Sequence, residues 1–165
     1  MTMDARRNSS DVSFVNDLAR AISMLRKDFA NDQGDGNCPE SRLVVEGATR
    51  DLSPLVRDDV YRIVSAALQY SFEHARARWI EVEVCYGPGE LRVRIGDNGK
   101  GIDPRILEEG GRGLLAIKQR AKLLGGNLTV WSKVDHGTET ELIIPATVAY
   151  AKSDSGRSRF WTKGA

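Results

Sequence analysis

Residues 97–103 read DNGKGID and stand directly after Glu90–Gly96, ELRVRIG, whose alternation of apolar and polar side chains is that of a strand. An aspartate at a strand end can accept a hydrogen bond from an exocyclic amine such as that of adenine. Gly99 and Gly101, at alternate positions, let the backbone pass close to a flat ring. Taken alone, this motif is equally well a tight surface turn. The residues before it sharpen the reading: Trp79–Tyr86, WIEVEVCY, alternates in the same way, and Gly87-Pro88-Gly89 joins the two runs into a hairpin.

Upstream of the hairpin, Ser53-Pro54 is a helix-start signal, a hydroxyl N-cap followed by proline at the first helical position. The helix is expected from about Pro54 to His74, with Val56, Val60, Ile63, Val64, Ala67 and Ser71 as its buried stripe. Asp59, Arg62, Ala66, Tyr70 and Glu73 fall on the other face. Before it, residues 42–46, RLVVE, predict a short strand, and Gly47–Leu52 a turn or a further strand.

Downstream, Gly110-Gly111-Arg112-Gly113-Leu114 opens another helical stretch. Free backbone N–H groups and the positive end of the helix dipole suit such a position to phosphate, and Arg112 adds a charge-assisted contact. A flexible hinge before a packed helix explains the same residues. Leu114, Ile117, Ala121 and Leu124 share one face of the helix, which Gly125-Gly126 stops. Asn127–Val134 and Thr138–Ile144 predict a second hairpin around His136-Gly137.

The order is strand, long helix, hairpin, glycine loop, helix, hairpin. Strands arriving in adjacent pairs predict an α+β fold, a two-layer sandwich of a mixed, mostly antiparallel sheet with helices on one face. A doubly wound nucleotide fold is excluded, because its strands would alternate with helices.

Val12–Ala30 carries Val15, Leu18, Ile22, Leu25 and Phe29 at spacings of three and four, one stripe along a helix. Two uses are open for that stripe: cover for the core, or an exposed seam for a partner helix, a homodimer included. The linker NDQGDGNCPES separates this helix from everything downstream. The organisation expected is therefore a helix and linker over 1–41, a main domain over 42–147, and a loose basic tail over 148–165.

A net charge of +1 gives no electrostatic case for nucleic acid or an anionic membrane. Cys38 and Cys85 form no CxxC pair, so neither a zinc site nor a disulfide framework is indicated. Apolar runs are too short to span a bilayer, and the first residues lack the apolar core of a signal peptide. A soluble cytoplasmic chain, or the cytoplasmic part of a membrane receptor, is expected.

Taken together, YRIVSAALQYSFEHA (61–75), DNGKGID (97–103), GRGLLAIKQRAKLLGG (111–126) and GTETELIIP (137–145) resemble the ATP-binding domain of sensor histidine kinases. That superfamily includes DNA gyrase, the heat-shock chaperone ATPase and mismatch-repair ATPases, and the likeness is nearest to nitrate-sensor-like kinases. The resemblance implies ATP lying between the long helix and the glycine loops. Asp97 would bind the adenine amine, Gly99, Gly101 and Ile102 would shape the base pocket, and Thr138 would support it. Gly111, Arg112, Gly113 and Leu114 would line the phosphate side. The phosphoryl group would pass to a histidine on a separate dimerisation and phosphoacceptor domain, then to a response regulator. No phosphoaccepting helix is legible in this chain, which suits a domain taken from a longer receptor, and the Val12–Ala30 helix would be the end of the dimerisation hairpin.

The long helix departs from the family pattern at three positions. Ala66 stands in place of the acidic residue, Tyr70 in place of the asparagine that holds Mg²⁺, and Glu73 in place of a cation that faces phosphate. A phenol is a poor Mg²⁺ ligand at neutral pH, and a carboxylate beside phosphates adds repulsion. Glu73 or Asp59 could replace the missing ligand from a neighbouring turn. Without one, the expectation is a module that keeps its adenine pocket and works through protein contact.

Overall fold

The computed structural model describes residues 17–34, 36, 38–109 and 113–152. In chain order the elements are α1 (Asp17–Asp32), β1 (Glu40–Glu46), α2 (Pro54–Glu73), β2 (Trp79–Tyr86), β3 (Glu90–Asp97), α3 (Pro104–Glu108), α4 (Leu114–Leu123), β4 (Asn127–Lys133), β5 (Gly137–Pro145) and α5 (Ala146–Ala149). The strands form one sheet in the order β1-β2-β3-β5-β4, antiparallel except for the parallel pair β1-β2. This is the expected α+β, two-layer arrangement.

Period-two alternation decides which face is buried. Ile80, Val82 and Val84 of β2, Leu91, Val93 and Ile95 of β3, and Leu142 and Ile144 of β5 all point into the core. Between them the opposite face carries Glu81, Glu83, Arg92, Arg94, Glu139 and Glu141, with Arg94 paired to Glu139 at 2.6 Å and Arg42 paired to Glu81. Exposed pairs of this kind contribute little stability.

Helix α2 lies on the buried face. Every residue of its expected stripe is buried, and Leu68 and Phe72 widen it by one further position per turn. Pro54 takes the first helical position, but the Ser53 side chain makes no capping bond; its backbone N–H goes instead to the Ala149 carbonyl at 2.9 Å.

The structure closes two choices that the sequence leaves open and extends the packed unit at its C-terminal end. The α1 stripe is spent inside the chain: Leu18, Ile22 and Leu25 are buried, and Phe29 stacks on Phe72 with ring centroids 5.6 Å apart. It therefore covers the core and is not an exposed seam, and the linker does not isolate the helix. Residues 47–51 form no strand; Leu52 makes a single antiparallel bridge, to Tyr150. Tyr150 and Ala149 are buried, and the Tyr150 hydroxyl donates to the Gly87 carbonyl at 2.6 Å, so the packed unit runs past 147. The remainder of the tail, from 153, lies outside the described residues. Among the described residues no helix is long and apolar enough to cross a membrane.

Candidate functional site

Sheet register brings the functional end together. Asp97, the last residue of β3, sits opposite Thr138 of β5, and Thr138 sits opposite Ser132 of β4. The three form a row across the end of the sheet, on the face that α2 covers. Asp97 is 8% exposed, and its carboxylate is turned toward the helix. Oδ2 accepts the Ser71 hydroxyl at 2.9 Å and Oδ1 accepts the Gly99 N–H at 2.9 Å. Burial raises the Asp97 pKa above the ordinary aspartate value, while donors from Gly99, Ser71 and the Thr138 backbone pull it back. Two carboxylate oxygens offer about four lone-pair sites. The group can accept a further amine.

The glycine loop is seated on the end of α2. The Lys100 N–H donates to the Ala75 carbonyl at 2.7 Å. A Cβ on Gly99 would stand 2.1 Å from that same carbonyl oxygen, so only glycine lets the loop come so close. Gly101 has φ +73° and would place a Cβ 2.3 Å from the Lys133 carbonyl oxygen. From there Ile102 enters the core, its N–H donating to the Ser132 hydroxyl at 2.7 Å, and that hydroxyl shares a 2.8 Å hydrogen bond with Thr138 Oγ1. The Asn98 side chain accepts the N–H groups of Arg78 and Trp79 at 3.0 and 2.9 Å, which ties the loop to the start of β2.

Beneath Asp97 lies a hollow of about 20 Å³. Ala66, Ala67, Tyr70 and Ser71 of α2 form one wall, Ile95, Asp97, Thr138 and Thr140 of the sheet the facing wall, and Ile102, Leu114, Ile117 and Val130 its sides. A wider groove of about 530 Å³ runs round the end of β4 past Trp79, Trp131 and His136. Asp97, Val130 and Thr138 line both, and the Asp97 carboxylate meets Ser71 on the side of the small hollow. Its chemistry suits a purine base: apolar walls, one buried acceptor and two threonine hydroxyls. The hollow alone, at about 20 Å³, has space for roughly one water.

Of the residues expected to bind a nucleotide, Asp97, Gly99, Gly101, Ile102, Leu114 and Thr138 converge here. Gly113 caps α4 in the left-handed region, with φ 75°. Gly111 and Arg112 lie outside the described residues. Glu73 is exposed and accepts Gln69 Nε2 at 3.3 and 3.4 Å, and Asp59 pairs with Arg120 at 2.8 Å. Among the described residues no group of three or more His, Cys, Asp or Glu could hold a metal ion.

Sequence reasoning missed Ser71, Ser132 and helix α3. In the sequence Ser71 belongs only to the buried stripe, although a hydroxyl there requires a partner. Asp103-Pro104 signals α3: the Asp103 carboxylate accepts the Arg105 N–H at 2.8 Å as an N-cap.

Residues 55–148 match the family described as histidine kinase-, DNA gyrase B- and HSP90-like ATPase. The chain is 36% identical over 88 residues to the signal transduction histidine-protein kinase/phosphatase DegS of Brevibacillus brevis, covering 53% of this chain and 23% of DegS. It is 34% identical over 94 residues to the sensor histidine kinase LiaS of Bacillus subtilis, covering 57% of this chain and 26% of LiaS. The chain thus spans about a quarter of the length of these relatives. The histidine kinase domain of the Erythrobacter litoralis EL346 blue-light activated histidine kinase superposes with a TM-score of 0.68 at 23% identity. That match covers 79% of this chain and 61% of the other, a likeness of fold.

Proposed function

The chain belongs to the histidine kinase-, DNA gyrase B- and HSP90-like ATPase family, and from that premise we propose that it is the ATP-binding domain of a two-component sensor histidine kinase. The observation that carries the reading is the buried Asp97 carboxylate, aimed from the sheet end into an apolar hollow between α2 and the glycine loop. In this reading Asp97 accepts the adenine amine, Gly99, Gly101 and Ile102 shape the base side, and Thr138 supports the aspartate from β5. Gly111, Arg112, Gly113 and Leu114 form the phosphate side. The phosphoryl group goes to a histidine on a dimerisation and phosphoacceptor domain, and from it to a response regulator. The domain works on the cytoplasmic side, within the nitrate-sensor-like group of such kinases.

ATP supplies the transferable phosphoryl group; what this chain supplies is orientation of the base and exclusion of water from it. Tyr70 and Ala66 wall the hollow where the family pattern has a metal-binding amide and an acid, and neither offers Mg²⁺ a good oxygen ligand. Adenine nucleotide binding by this chain is therefore indifferent to Mg²⁺. Calorimetric titration with ATP and ADP, first with Mg²⁺ and then with EDTA, tests the reading. Heat with both nucleotides is expected, unchanged by EDTA and absent in Asp97→Asn. Binding that vanishes in EDTA would overturn the metal-independent part, and binding unaffected in Asp97→Asn would remove the aspartate from the site.

A further inference from the structure

The face of the sheet turned away from α2 is acidic and carries exposed aromatic rings. Seven glutamates of the five strands point to it against Arg42, Arg92, Arg94 and Lys133, a net charge of −3. Trp79 and Trp131 stand on the same face, 38% and 51% exposed. Register sets Trp131, Glu139, Gly96 and Glu81 in one row across four strands, with Trp79 two positions before Glu81. A Cβ on Gly96 would meet nothing within 4 Å, so the row has a gap between the two indoles. The groove of about 530 Å³ includes that gap, and a hollow of about 140 Å³ continues from it past Glu83 and Arg94.

We infer that residues 153–165, SDSGRSRFWTKGA, dock on this face of their own chain, with Trp161 in the gap over Gly96 and Arg157 and Arg159 along the glutamates. The inference goes beyond the ATP-binding reading and does not depend on it.

Three observations select this occupant. The segment carries Arg157, Arg159 and Lys163 against Asp154, a net charge of +2 that complements the acidic face. Arg157, Arg159, Trp161 and Lys163 stand at alternate positions, and alternate residues of an extended segment share one side. Reach is the third. The Tyr150 hydroxyl holds the chain at the Gly87 and Glu90 carbonyls, the end of the sheet toward which the smaller hollow runs. Gly96 is six residues along β3 from Glu90, about 20 Å at the rise of a strand. Trp161 is eleven residues on from Tyr150, and an extended chain of that length spans about 36 Å, enough to round the end of the sheet and reach the gap. A tether this short also holds the segment near the face at an effective concentration of roughly millimolar.

Heteronuclear NMR of the full chain tests the inference, with NOE contacts expected from the Trp161 ring to protons of Gly96 and Glu139. Trp161→Ala is expected to shift the Gly96 amide and the Trp79 and Trp131 indole signals while leaving the α2 amides in place. Gly96→Leu, which fills the gap, and the paired change Arg157→Glu with Arg159→Glu are each expected to lose the NOE contacts, with circular dichroism melting to establish that each variant is folded. Gly96 and indole signals that stay unmoved in Trp161→Ala overturn the proposal. Contacts that persist in either of the other folded variants overturn it too, as do contacts that fade on dilution, which would assign the face to a second copy of the chain.

Discussion

The Ser71 hydroxyl donates to Asp97 Oδ2 across 2.9 Å, joining the buried face of α2 to the last residue of β3. The bond orients the carboxylate toward the helix layer, and it gives a charged group in the core a donor that burial would otherwise deny it.

Stability should fall with pH over the Asp97 titration. Burial raises the folded-state pKa above the unfolded value, so the folded protein binds this proton more readily. The contribution of the group is then greatest below the unfolded aspartate value of about 3.9. It declines as pH rises toward the folded value and is level above it. Asp97→Asn removes this slope. The variant is expected to be at least as stable as wild type at pH 7, with Ser71 reversing its hydrogen bond, while binding of adenine nucleotides is lost. Urea denaturation of both proteins from pH 3 to pH 8 checks this; a stability difference that favours wild type increasingly toward pH 7 would contradict it.

Helix α1 should behave as part of the cooperative core. Ile22 is fully buried, and truncation of a buried isoleucine to alanine costs about 2–5 kcal/mol. Ile22→Ala is expected to lower the urea midpoint accordingly, without a separate early transition. An unchanged midpoint would mean that α1 docks without contributing to the fold.

The strap after β5 should matter to the packed unit. Tyr150 bonds the Gly87 and Glu90 carbonyls at 2.6 and 3.2 Å, and Arg50 lies 3.9 Å over its ring. Tyr150→Phe is expected to cost about 1 kcal/mol. A chain ended after Thr147, which also loses Ala149 and the bridge to Leu52, is expected to melt lower still. Equal melting temperatures for the shortened and full chains would restore a boundary at 147.

Gly99→Ala should lift the glycine loop from the end of α2, because the added Cβ meets backbone 2.1 Å away and no flexible side chain can yield. A cost of roughly 1–3 kcal/mol is expected from the strain. The Lys100 amide, which bonds Ala75, should exchange faster with solvent than in wild type. Unchanged protection of that amide would show that the loop has another anchor.

Much of the fold was legible because its signals are local. Alternation in Trp79–Tyr86 and Glu90–Asp97 is a property of neighbouring residues, as is the three-and-four spacing in α2, and both survive into the structure with their buried faces intact. Leu68 and Phe72 were missed because the width of a buried stripe depends on what packs beside it, here the sheet and Phe29. The glycine loop was legible as a motif of residue types. Its seating on Ala75 was not, since that contact links positions far apart in the chain.

By itself the sequence determined the periodicities, the turns, the order of elements and the motif residues Asp97, Gly99, Gly101 and Thr138, all of which are fixed by near neighbours along the chain. The tertiary structure alone decided where the α1 stripe goes, which donors Asp97 keeps, and how little room lies beneath it. Those quantities depend on distances between side chains such as Ser71 and Asp97, 26 positions apart, and on close packing of two layers, which no local pattern encodes.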